Sequence, residues 1–96
     1  MPAFADNQVV TSTARTITFT RAAQHRLVVR NMSTTAGDRL YFTYTSGGRP
    51  VTVAVSGADD TYAVAPGDKV EIGVSGTVSV SIVASVASCA ASVYTI

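Results

Sequence analysis

From residue 15 onward the chain is written largely in a period of two. Leu40, Phe42 and Tyr44 alternate with Tyr41, Thr43 and Thr45. Val70, Ile72 and Val74 repeat the pattern, and Val78, Val80 and Ile82 are interleaved with Ser79 and Ser81. Successive side chains of an extended strand point to opposite faces, so this alternation specifies strands with one face in a core and one outside. Turn signals interrupt the pattern at Thr34-Thr35-Ala36-Gly37-Asp38, Gly47-Gly48, Ser56-Gly57-Ala58-Asp59-Asp60, Ala65-Pro66-Gly67-Asp68 and Ser75-Gly76. Their spacing of roughly 8 to 12 residues belongs to all-β sandwiches and barrels. Composition agrees: 15 Val, 14 Ala, 13 Thr and 10 Ser stand against 2 Leu. Helical folds draw on Leu, Glu, Lys and Gln, which are scarce here, so a helical bundle is excluded.

Ninety-six residues support one thin core and not two. The expected fold is all-β: an antiparallel β-sandwich or jelly-roll-like domain of eight to nine short strands. It spans residues 9–96, with residues 1–8 as an N-terminal arm. Strands are expected at Val9 to Thr13 and Arg15 to Arg21 as a first pair, then at His25 to Met32 and Arg39 to Ser46. A return strand follows with Val51, Val53 and Val55 inward, then Thr61 to Val64, the segments carrying Val70 to Val74 and Val78 to Ile82, and Ala90 to Ile96. Pro66 and Gly67 fit the second and third places of a type II turn. Val83 breaks the alternation by falling on the parity of Ser79 and Ser81; a bulge or a covered outer face would account for it.

Charge excludes several functions. The formal net charge is +1, and charged residues are 14% of the chain against about 25% in an average soluble protein. No broad field is available to attract nucleic acid or an anionic membrane. The first 14 residues hold neither Lys nor Arg and no long apolar run, which reads as no secretory signal. No stretch reaches the ~20 apolar residues of a membrane helix. Six of seven basic residues are Arg, whose planar fork of donors suits protein interfaces better than the strongly hydrated Lys.

Catalytic chemistry has little to work with. There is one His, one Cys and one Glu, and no oriented base or nucleophile is marked around His25. Cys89 sits among alanines and serines and reads as a small buried hydrophobe. The Asp residues fall mainly in loops without the spacing of a calcium loop. No catalytic residue, cofactor or metal is expected. Asn31-Met32-Ser33 matches a glycosylation acceptor, a chance match without a secretory signal. Candidate interface residues are Phe4 on the arm, Arg15, Arg21, Arg26, Arg30 and Arg49, the ring of Tyr41, and Val83. Weakly charged, Lys-poor strands such as Val51 to Val55 and Val78 to Val86 are hazards as free edges, which argues for burial in an assembly.

Leu40-Tyr41-Phe42-Thr43-Tyr44 before Gly47-Gly48, Tyr62-Ala63-Val64-Ala65-Pro66-Gly67-Asp68 feeding Val70-Glu71-Ile72, and Gly76-Thr77-Val78-Ser79-Val80 before a last strand form a pattern over residues 25–96. It resembles the small β-sandwich decoration (cement) and head-surface proteins of tailed bacteriophages. The resemblance implies a non-enzymatic virion protein, made in the host cytoplasm and placed on the capsid surface. Its partners would be the major capsid protein or another virion protein, and its own copies in a homo-oligomer such as a trimer. A carbohydrate- or receptor-binding module of a phage fibre or tail is the alternative, and it requires Tyr41, Tyr44 and Tyr62 to share one exposed surface.

Overall fold

The computed structural model describes residues 4–20, 24–58 and 61–96. Among them are eight strands and no helix: β1 (Phe4–Val10), β2 (Arg15–Phe19), β3 (Gln24–Asn31), β4 (Leu40–Ser46), β5 (Tyr62–Val64), β6 (Lys69–Ser75), β7 (Val78–Ala84) and β8 (Cys89–Thr95). They form two four-stranded sheets, ordered β1-β8-β3-β6 and β2-β7-β4-β5, with every neighbouring pair antiparallel. β1 pairs with β8, β2 with β7, β3 with β6 and β4 with β5, so the chain is one long hairpin whose successive rungs fall alternately in the two sheets. The β3·β8 and β4·β7 pairings then close each sheet. This is the jelly-roll arrangement of a β-sandwich.

The alternating residues fill the space between the sheets. Leu27 and Val29 of β3 and Val93 of β8 face Leu40 and Phe42 of β4 and Val78, Val80 and Ile82 of β7, all fully buried. Each such side chain contributes about 1.5–3 kcal/mol by leaving water. The inner strand β7, with neighbours on both sides, buries six of its seven positions. The edge strand β6 buries only Val74.

One polar group is built into this interior. Asn31, at the end of β3, is completely buried, and its amide donates to the carbonyls of Asp38 (2.8 Å) and Val64 (3.0 Å). Its Oδ1 accepts the Ser33 N–H (3.0 Å) and faces the Cys89 thiol at 3.5 Å. Val64 belongs to the opposite sheet, so Asn31 ties the two sheets together with its polar atoms satisfied. A side chain so enclosed cannot accept a glycan. Nearby, Gly67 has φ of +81° and the Asp68 N–H bonds the Ala65 carbonyl (3.0 Å), the type II turn expected of Ala-Pro-Gly-Asp.

The structure departs from expectation in three places. Residues 4–8, expected in an arm, lie in β1, where Phe4 pairs in register with Thr95 and Val10 with Cys89. The expected first hairpin does not form, because β1 and β2 lie in different sheets. The segment Val51 to Val55 is not a sheet strand, and its parity is reversed: Ala54 is buried while Val53 and Val55 are 62% and 60% exposed. Alternation records only that two sets of side chains meet different surroundings; it does not say which set is inside. No bulge occurs at Val83. The register runs without a slip from Ser46↔Val78 to Leu40↔Ala84, and Val83 is buried on a covered outer face.

Candidate functional site

Three surfaces carry the candidate residues. The outer face of the first sheet presents Arg26, Val28 and Arg30 of β3, which stand in register with Gly73, Glu71 and Lys69 of β6. Glu71 lies 3.9 Å from Arg26 and 3.5 Å from Lys69. These are exposed pairs, worth about 0–1 kcal/mol each. Arg30 stands directly opposite Lys69, a like-charge pairing that disfavours the sheet locally. Val28 is nevertheless 1% exposed, enclosed among longer side chains that include the register partners Glu71 and Tyr94.

The outer face of the second sheet is lined by hydroxyls: Thr16 and Thr18 of β2, Thr43 and Thr45 of β4, and Ser79 and Ser81 of β7. The chain after β4 folds back over it. Thr45 Oγ1 donates to the Arg49 carbonyl (2.6 Å), Thr43 Oγ1 donates to the Thr52 carbonyl, and the Ala54 N–H donates to Ser81 Oγ (2.9 Å). Residues 51–55 thus form a roof held by side-chain hydroxyls. Ser81, which holds the Ala54 N–H, and Val83 on the same face are buried, and Val53 and Val55 project to solvent.

The third surface is a cleft at one end of the second sheet. β5 pairs only with Leu40–Phe42, so the longer β4 continues past it through Thr43–Ser46. Tyr62 stacks on Phe42 at 5.0 Å and 18°, and Tyr44 meets Tyr62 at 5.8 Å and 51°. Burial, reinforced by Tyr62, pushes the Tyr44 phenol above its ordinary value of 10.0. Arg49, Ser46, Gly47 and Ser75 complete the walls. Gly47 and Gly48, both at positive φ, let the chain reverse tightly and bring Arg49 beside β4.

The eight interface candidates do not form one surface. Arg26 and Arg30 share the first sheet's face, whereas Tyr41 and Val83 are register partners on the second sheet's face. Arg49 lines the cleft, and Arg15 is exposed at the start of β2, opposite Ile82. The backbone of Phe4 lies within β1, and Arg21 lies outside the described residues. Tyr44 and Tyr62 do come together, but Tyr41 points to the other side of β4. The roof was hidden from sequence reasoning, because a run of Thr and Ser reads as a solvated face.

His25 is buried opposite Val74. Cys89 is 2% exposed, and burial, with a smaller contribution from the Asp38 charge, pushes its thiol above 9.0, away from the reactive thiolate. Among the described residues no group of three or more His, Cys, Asp or Glu is placed to hold a metal ion. No helix among them is long and apolar enough to cross a membrane. The class defined by these features is a small jelly-roll β-sandwich. No family model, curated protein or solved structure matches the chain.

Proposed function

We propose that this protein is a non-enzymatic virion component, a decoration (cement) protein that binds the outer capsid of a tailed bacteriophage and reinforces the shell. The observation that carries the reading is the roof segment: a β-branched run held outside both sheets, with Val53 and Val55 more than half exposed. An apolar, extended, Lys-free segment on a small domain is a hazard in free solution and an asset only where another protein covers it. The major capsid protein or a second copy of the chain supplies that cover. The Arg-rich face of the first sheet remains available for contacts at the edges of the footprint, where planar donors meet carboxylates and carbonyls.

The test is co-sedimentation with purified particles, followed by heating of particles that carry or lack the protein. Wild-type chain sediments with particles and delays their rupture, while the double variant Val53→Asp, Val55→Asp stays folded but remains in the supernatant. Full heat resistance of particles without the protein, or unchanged binding by the double variant, rejects the reading.

A further inference from the structure

We infer that the cleft between Tyr62 and Arg49 binds an acidic saccharide, with a sugar ring laid on Tyr62 and its carboxylate held by Arg49. This stands apart from the capsid reading, since it concerns a different surface and a small ligand.

The cleft exists because β5 spans three residues while β4 runs for seven, so that among the described residues no strand pairs with Thr43–Ser46 on that side. Stability alone favours extending the shorter strand, because each added pair hydrogen-bonds an exposed edge. The cleft, open to solvent, has a volume of about 710 Å3, within the range of small-molecule sites. Its contents are chemically specific. Stacking on Phe42 fixes the plane of Tyr62, yet Tyr62 remains 46% exposed, so ring surface is offered in a set orientation. A preset aromatic ring binds the C–H face of a sugar with little loss of side-chain freedom.

Arg49 is exposed on the cleft wall and makes no ion pair among the described residues. Its backbone is anchored by Thr45, so the guanidinium fork is presented from a fixed point. Such a fork suits a carboxylate, which it grips with two parallel hydrogen bonds. Ser46 and Ser75 add short hydroxyls suited to sugar hydroxyl groups. A neutral ligand would leave the guanidinium unused, and an anion with no flat apolar face would leave the exposed ring unused. A uronic-acid oligomer uses both.

The experiment is calorimetric titration of the full chain with trigalacturonate and with its fully methyl-esterified form, with backbone amide shifts locating the site. The acid binds about tenfold more tightly than the ester, a ratio set by one charge-assisted contact. Shifts concentrate at residues 44–49, 62 and 75. Arg49→Gln, at an exposed turn position that leaves the fold intact, removes the preference for the acid, and Tyr62→Ala weakens both ligands. Equal affinity for acid and ester, binding of neither, shifts centred on Arg26 and Arg30, or an unaltered preference in Arg49→Gln each overturns the assignment.

Discussion

The two outer faces of this sandwich solve one problem by different means. Each carries a valine buried on the side away from the core, Val28 on the first sheet and Val83 on the second. Around Val28 the neighbours are long and charged: Arg26 and Arg30 on its own strand and Glu71 across from it, with Tyr94 on β8. Their stems cover apolar surface while their heads reach water. Around Val83 the neighbours are its register partner Tyr41 and, along the same face, short hydroxyls that hold a stretch of backbone against the sheet. The difference gives the Ser and Thr excess a structural purpose: a segment without strand neighbours needs side chains to satisfy its N–H and C=O groups.

Four measurements can break or sharpen that contrast. The largest effect belongs to neither face and sets the scale. Asn31→Ala leaves the Asp38 and Val64 carbonyls and the Ser33 N–H without their partner and should cost about 3 kcal/mol or more in urea unfolding. If Asn31 were incidental, the loss would stay near the ~0.5 kcal/mol of an ordinary surface change.

Next is Ser81→Ala, which strands the buried Ala54 N–H and should cost about 1–3 kcal/mol. Faster amide exchange should be confined to the roof. A neutral result would mean the roof holds without its hydroxyls. Third, Val83→Ala under the roof should cost about 2 kcal/mol. Val28→Ala should cost roughly half as much, because flexible stems settle into a cavity more readily than an anchored backbone does. Equal losses would erase the distinction between the two kinds of cover.

The smallest effect is on pH dependence and takes one group from each sheet. Burial raises Cys89 of β8 and Tyr44 of β4 above their ordinary values of 9.0 and 10.0. The folded chain therefore holds both protons more tightly than the unfolded chain does. Their contribution is complete below pH 9.0 and falls as pH rises through the thiol and then the phenol range. Thermal melting should be flat up to that point and then decline, and Cys89→Ala should move the onset of the decline toward 10.0. A melting temperature that rises above pH 9.0 contradicts this sign.

Much of the architecture was legible because antiparallel sheets bury one face. Leu40 with Phe42, and Val78 with Val80 and Ile82, could be placed inward from parity alone, and Pro66-Gly67 marked its turn. The same rule misled at Val51 to Val55. There the alternation is real but arises from lying on a sheet, not from belonging to one. Asn31 was missed as a structural residue for the opposite reason: a single buried amide has no period. Its partners, Asp38 and Val64, come from segments 7 and 33 residues away. The cleft depends on β5 being shorter than β4, a mismatch in strand length that no motif announces.

The order of strands also sets a timetable. One of the two inner strands of each sheet comes from the last third of the chain: β7 lies between β2 and β4, and β8 between β1 and β3. During synthesis the earlier segments emerge with no partner for their central positions, and neither half can be finished alone. A nascent chain lacking its final twenty or so residues holds unpaired apolar strands, which favour aggregation. Closure waits for contacts between the most distant parts of this domain, so folding should be slow.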